Sequence, residues 1–460
     1  MSQRPGSYEI DMTSGPILPA MLRFAVPLMC SSILQLLFNA ADIVVVGRFA
    51  GDNSLAAVGS NSSLINLLVN LFIGLSVGAN ILAARHRGAG ADEELRQTVH
   101  TSMLLSLVSG LFLAAAGAGL ARTILVWMQS PPEVLDLAAL YLRIYFLGMP
   151  ATMLYNFGAA LLRAVGDTRR PFRYLFIAGV INVALNLVFV VLFRMDVAGV
   201  GIATVISQCV SAFLVVRCLT REQGSVHLEL RQLRFYPAQL KRILRIGIPA
   251  GIQSVLFALS NVVVQSSVNS FGEITMAGNA AAYNIECFVY TAMNAFHQAN
   301  LSFTSQNLGA GKYDRLWKIL LRAQGCVITV GVVMGGLGYF FGPQLLGIYS
   351  QTPEVIAAGM RRLSIICKMY AICGIMEVMV GSIRGIGYSV LPTIVTLIGA
   401  CGLRLVWIAT IFQVPAYHTI ETVYWSYPIS WIITLSAHFA CFLWGMKKLR
   451  QHLGAASADQ

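Results

Sequence analysis

Stretches long enough to cross a lipid bilayer recur from one end of this chain to the other, and few architectures tolerate that. The first begins near Ile17 and hardly pauses before Arg48. A bilayer core takes about 20 apolar residues as a helix. Backbone in lipid must satisfy its own hydrogen bonds, which leaves helices or closed barrels. A barrel would show alternating strands of about ten residues, and no such pattern is visible. The chain is 57% hydrophobic and 11% charged, whereas a soluble domain carries about 25% charged residues. The expected fold is therefore all-α and polytopic, with about twelve transmembrane helices. Their approximate limits are 18–46, 54–82, 98–127, 136–161, 171–193, 197–219, 241–269, 274–302, 318–341, 355–383, 389–413 and 421–446.

The net charge of +12 invites a nucleic-acid reading, but the basic residues sit in short loops rather than in a basic domain, so no nucleic-acid partner is expected. Loops after even-numbered spans carry Arg85, Arg87 and Arg96, then Arg163 to Arg173, Arg221 to Arg245, Lys312 to Lys318 and Arg384. The other side offers little beyond Arg48, Arg122, Arg194, Arg361 and Arg362. Both termini are thus expected to face the cytoplasm from a cytoplasmic membrane. The start, MSQRPGSYEIDM, lacks the pattern of a removable signal peptide. The nine cysteines are scattered with no C-x-x-C pair and read as small buried residues.

The chain also resembles itself at an offset of about 221 residues. LRFAVP at Leu22 faces LRIGIP at Leu244, and RGAGADEELRQ at Arg87 faces LGAGKYDRLWK at Leu308. PEV at Pro132 faces PEV at Pro353, and LRAVGDTRRP at Leu162 faces IRGIGYSVLP at Ile383. Each repeat holds an even number of spans, so both enter the membrane from the same side, and a substrate site is expected between parallel repeats. The expected division is a six-helix lobe over 1–219, a cytoplasmic linker over 220–240 and a second six-helix lobe with a short tail over 241–460. Prolines recur in both halves, Pro27 with Pro249 and Pro171 with Pro392. Pro171 and Pro392 read as helix starts, while Pro27 is a candidate hinge because an internal proline frees a carbonyl and permits a kink.

Six ionisable residues fall well inside spans: Asp42, Arg143, Glu286, Lys368, Glu377 and Arg404. Such residues are costly in lipid, face a protein interior or wet cavity, and pair with something. None of the three acids has an acid at its repeat mate, so the frame is duplicated and the chemistry is not. Asn182 and Asn186, four apart, share a face of the fifth span, and Thr204 adds a hydroxyl on the sixth. With Asp42 they could hold a proton or a dehydrated Na⁺, since hard cations prefer oxygen. A static hydrogen-bond pin is the plainer alternative for Asp42. In the second half, Lys368 lies nine residues from Glu377, about 13 Å along one helix, so Arg404 is the better partner for Glu377. Glu286 is left to meet a cationic substrate or an ion such as Na⁺, and Arg143 to snorkel.

Other patterns carry less. GLSVG at Gly74 fits a serine-hydrolase pattern, but it sits in an apolar helix, where glycines serve packing. His297 has no metal-ligand partner at helical spacing and reads as a satisfied buried histidine. No phosphate-binding loop or zinc motif appears, so no enzyme activity, cofactor or ATP-driven step is expected. Trp425, Tyr427 and Trp431 read as interfacial belt residues.

ADIVVVGRFAG at Ala41 resembles the first-span signature of the multidrug and toxic compound extrusion (MATE) transporters, prokaryotic branch. Tyr155 to Val190, FTSQNLGAGKYDR at Phe303 and IMEVMVGSIRGIGYSVLP at Ile375 resemble further motifs of that family, and the likeness covers nearly the whole chain. The resemblance implies two six-helix lobes and alternating access driven by H⁺ or Na⁺. It implies export of small organic, often cationic and amphiphilic, compounds. It puts the family's first-span acid on Asp42, its fifth-span polar pair on Asn182 and Asn186, and its sixth-span Thr on Thr204. The second-lobe acids resemble Glu286 and Glu377. A monomer in the bilayer is expected. A lipid-linked precursor flippase would instead need a strongly basic central cavity, and an intramembrane enzyme would need a nucleophile or metal cluster.

Overall fold

The computed structural model describes residues 8–128 and 131–458, so the first seven residues of the polar start fall outside the described ones. The described chain is helical throughout, in the order α1 Ile17–Phe49, α2 Asp52–Ala89, α3 Asp92–Trp127, α4 Pro132–Leu147, α5 Met149–Ala164, α6 Arg169–Asn186 and α7 Asp196–Arg221. Then follow α8 Pro237–Asn269, α9 Glu273–Gly309, α10 Tyr313–Phe340, the short α11 Gly342–Gly347, α12 Pro353–Gly385, α13 Val390–Thr396, α14 Leu403–Ala409 and α15 Ile420–Ala458. Ten of these stretches are long and apolar enough to cross a membrane, eleven when α4 and α5 count as one bent span. The chain is a polytopic α-helical membrane protein.

Helix α9 covers the expected span 274–302 although it is too polar to count among those stretches. Its 37 residues reach about 55 Å, ample for a bilayer, but they include Asn279, Glu286, His297, Asn300, Gln306 and Asn307. All six are buried. A span surrounded by other helices needs no apolar exterior, because its polar groups find protein partners. Where spans do meet lipid, large apolar side chains stand exposed, such as Phe112, Leu192 and Val332.

Two local departures from straight helix matter. The expected span 136–161 is two helices bent by 45° around Gly148. Pro150 supplies no backbone N–H, so the ladder breaks there. A Cβ on Gly148 would come within 2.6 Å of Gln208 Oε1. The second departure is a π-helical turn, present twice: Leu187–Leu192 directly after Asn186, and Leu397–Gly402 between α13 and α14. Such turns concentrate at functional positions because they rotate the following side chains off the regular face.

The chain forms two compact units. Unit 1 comprises Met1–Asp11 and Cys30–Gly251, and unit 2 comprises Met12–Met29 and Ile252–Gln460. Each of α1 and α8 therefore contributes its two ends to different units. Pro27 and Pro249, both inside helices, lie two residues before the changeover residues Met29 and Gly251. Within unit 1 the early part of α8 packs on α2 through glycines. A Cβ on Gly74 would lie 2.3 Å from Gly251 N, and one on Gly78 would lie 2.5 Å from Ile243 O. The GLSVG pattern is thus a small-residue contact that lets two backbones meet, as membrane helix pairs commonly do.

The polar segment before α1 is fastened at several points. In unit 1, Arg87 reaches the Glu9 carboxylate at 2.6 Å, and the Arg170 and Arg173 guanidinium groups sit over the Tyr8 ring at 5.4 and 5.3 Å. In unit 2, Asn307 Nδ2 donates to Met12 O at 2.8 Å and Lys312 Nζ to Thr13 O at 2.7 Å.

Candidate functional site

Asp42 lies near the end of α1, within unit 1, and is half-buried. Asn186, the last residue of α6, donates its amide N–H₂ to Asp42 Oδ1 and to Asn182 Oδ1, the latter at 3.3 Å. Asn182 in turn donates to Thr204 Oγ1 on α7 at 3.4 Å. The four residues picked from the sequence form one chain of contacts across three helices. The spacing of four along α6 puts both amides on one face, and the π turn begins at the next residue. Asn182 and Asn186 are 5% and 0% exposed. At the end of the chain, Asn186 Oδ1 is buried and accepts no hydrogen bond among the described residues. A carboxylate beside an unused amide oxygen is an acceptor-rich spot, with no base in ion-pair contact among the described residues. It can take a proton or a small hard cation.

In unit 2 the charges are distributed differently from the sequence expectation. Glu286 on α9 is held by Arg362 on α12: Nε donates to Oε1 at 2.8 Å and Nη2 to Oε2 at 2.7 Å. Arg362 Nη1 donates to Asn279 Oδ1 at 2.8 Å. Both ion-pair members are almost fully buried. By the charge count of the sequence, Arg362 belongs with the few basic residues of the outer side. Helix α12 starts at Pro353, so Arg362 lies more than two turns inside it and turns inward while Arg361 stays exposed. Glu286 is therefore not the unpaired acid that the sequence suggested.

Nor does Arg404 on α14 pair with Glu377. Its Nε donates to Ser430 Oγ at 3.0 Å and its Nη1 to Asn261 Oδ1 at 3.5 Å, while Nη2 is buried with no acceptor among the described residues. The guanidinium sits 4.3 Å from the Tyr427 ring centroid and 5.2 Å from that of Phe257. Tyr427 also lies 5.5 Å from Arg362. Tyr427 and the buried Trp431 belong to this cation–aromatic cluster rather than to an interfacial belt, because α15 turns that face inward; Trp425 is exposed. Arg384, counted as a loop residue in the sequence, is buried in the last turn of α12, and its Nη2 donates to Gln253 Oε1 at 2.7 Å. Lys368 is exposed on α12 with its Nζ 4.2 Å from the Tyr339 ring, and Arg143 is exposed. His297 Nδ1 lies 2.6 Å from Glu377 O, a satisfied buried histidine.

One network escaped the sequence reading although its motif, GDTRRP, stood out as part of the repeat. Asp167 is fully buried and accepts from the backbone N–H groups of Arg169 and Arg170 at 3.0 and 3.1 Å, which caps α6. Arg170 pairs with both Asp167 and Glu222, the latter at 2.6 Å. The only sequence signal was an acid two residues before a helix start.

The MatE family model matches this chain twice, over residues 27–188 and 249–410. The probable multidrug resistance protein YoeA of Bacillus subtilis is 28% identical over 441 residues, covering 94% of this chain and 95% of that protein. An FAD transporter of Shewanella oneidensis is 23% identical over 349 residues, covering 75% and 77% respectively. A crystal structure of MATE in the bent conformation superposes with a TM-score of 0.87 at 22% identity, covering 98% of this chain and 99% of that one. The double match falls on the internal repeat and takes in most of both halves. The chain belongs to the MatE family, the multidrug and toxic compound extrusion transporters, which are transporters and not enzymes.

Proposed function

We propose that this transporter is an antiporter that exports small organic compounds by alternating access, driven by H⁺ or Na⁺ binding at Asp42. The observation that carries the reading is the Asp42–Asn186 contact, with Asn186 Oδ1 buried beside it and unused. Asn182 and Thr204 extend the polar chain and steady both amides. Glu286 has both oxygens occupied by Arg362, which favours Asp42 as the coupling acid. An ion arriving at Asp42 neutralises a carboxylate that is partly stripped of water. If the loaded and cargo-bound states exclude each other, linkage makes the exchange reciprocal. Pro27, two residues before α1 passes from one unit to the other, is the proposed hinge. That a relative has been solved in a bent conformation is in keeping with this. The protein is proposed to act as a monomer in the cytoplasmic membrane with both termini on the cytoplasmic side.

The test is efflux from proteoliposomes under an imposed proton gradient and, separately, an imposed Na⁺ gradient. Asp42→Asn is expected to lose efflux under whichever gradient drives the wild type. Unchanged coupling in that variant would falsify the assignment.

Arg404 favours a second reading of the cargo. Its charge meets aromatic rings and neutral oxygens but no carboxylate among the described residues. A buried cation left without an anion is costly, so a cargo carrying an acidic group would be welcome in unit 2. The FAD transporter among the relatives transports a compound of that kind by its name. Comparing efflux of ethidium with that of an aromatic phosphate decides between a plain cation and an anion-bearing cargo.

A further inference from the structure

Unit 2 contains a cleft of about 720 Å³ where the first turn of α1 lies beside the first turns of α10. Its walls are Gly15 and Pro16, the apolar Ile17 and Leu18, and from α10 Lys318, Leu321 and Arg322. Arg315 closes one end, fixed by hydrogen bonds to Gly15 O at 3.2 Å and Asn307 Oδ1 at 3.1 Å. Three cations line the cleft and no acid does.

Arg315 has acceptors, but Lys318 and Arg322 have none among the described residues: neither makes a hydrogen bond or an ion pair there. They stand four apart on α10, where like charges repel. The first turn of α1 carries no acidic residue to answer them. The position of the cleft narrows the choice of anion. It lies where two membrane spans begin, Ile17–Phe49 and Tyr313–Phe340. The side chains that continue it along the spans, Leu18 and Leu321, are exposed and apolar. Basic clefts at that depth suit a phosphate headgroup whose chains remain in the bilayer.

We propose that this cleft binds the headgroup of an anionic phospholipid, with Lys318 and Arg322 holding the phosphate and the acyl chains lying along Leu18 and Leu321. Occupancy ties the first turn of α1, the helix that carries Asp42, to α10. The site depends only on the protein lying in a membrane and holds whichever ion or cargo is transported.

The test uses the full chain in detergent, with phosphatidylglycerol, phosphatidylcholine or soluble glycerol phosphate added at equal concentration. Lipid retention is read by native mass spectrometry and stabilisation by the thermal unfolding midpoint. Wild type is expected to retain phosphatidylglycerol over phosphatidylcholine and to unfold at higher temperature with it. Lys318→Gln with Arg322→Gln is expected to retain about tenfold to thirtyfold less phosphatidylglycerol, the effect of two interfacial charges. The charge-conserving pair Lys318→Arg with Arg322→Lys should keep the preference. Equal retention of both lipids by wild type overturns the proposal even if the glutamine variant fails to fold. So does a glutamine variant that keeps the preference. If glycerol phosphate stabilises as well as the lipid, the cleft is a site for soluble anions and the lipid assignment fails.

Discussion

Asn186 gives both hydrogens of its side-chain amide to Asp42 and Asn182 and leaves its Oδ1 without a donor among the described residues. Replacing it by Ala removes one partner of a carboxylate in a poorly solvated place. Asn186→Ala is predicted to lower gradient-driven efflux at least tenfold in proteoliposomes, with a stability loss of about 1–3 kcal/mol read from unfolding in detergent. The Glu286–Arg362 pair makes a different prediction. It is bidentate, nearly solvent-free and further bonded to Asn279. Arg362→Met leaves a buried carboxylate alone and should cost about 3–5 kcal/mol. Glu286→Leu combined with Arg362→Met should recover most of that loss, since two apolar side chains need no partner. A double variant as unstable as the single one would mean that the pair is not the source of the loss. These contacts were partly visible in the sequence. An acid in an apolar run and two amides at helical spacing marked Asp42, Asn182 and Asn186 as unusual. Arg362 carried no such mark, because a basic residue near a span end looks the same whether it faces solvent or a buried acid.

At the scale of helices, glycine placement decides how closely elements approach. Gly251 in α8 faces α2, and a Cβ there would lie 2.2 Å from Leu71 O, which is backbone and cannot yield locally. Gly251→Ala is predicted to destabilise by about 1–3 kcal/mol. Gly336 in α10 has nothing within 4 Å of the same added atom. Gly336→Ala should leave stability unchanged or raise it slightly, by about 0.5–1 kcal/mol. Both midpoints can be compared in one detergent series. Most span limits were legible because an apolar run is a local property. The bend at Gly148 and the two π turns were not, since they depend on how the helix meets its neighbours. Helix α9 shows the converse case, in which the run was found while its polar residues said nothing of which helices would cover them.

For the molecule as a whole, basic residues concentrate in the loops after even-numbered spans. Reporter fusions after Arg96, Arg221 and Lys312 are predicted to behave as cytoplasmic, and fusions after Arg48 and Arg194 as external. Reversal at even two of these positions would remove the proposed orientation. The family model matches each half once, yet the halves differ in charge: Asp42 meets amides in unit 1, whereas in unit 2 Glu286 is held by Arg362 and Arg404 rests among aromatic rings. A duplicated frame with unequal chemistry is in keeping with the proposed antiport, in which unit 1 serves the ion and unit 2 has its own polar task.

Apolar length, loop charge and internal repetition are properties of the chain read in order, so the sequence alone was enough for an α-helical, twice-repeated membrane protein with a marked acid at Asp42. Which base meets which acid was decided only by tertiary structure. A guanidinium selects its partner by the distance and rotation between helices, and those are set by glycine contacts, a proline bend and π turns that no local pattern encodes. That is why Arg362 holds Glu286, Arg404 rests among aromatic rings, and Lys318 and Arg322 stand together with no anionic partner among the described residues.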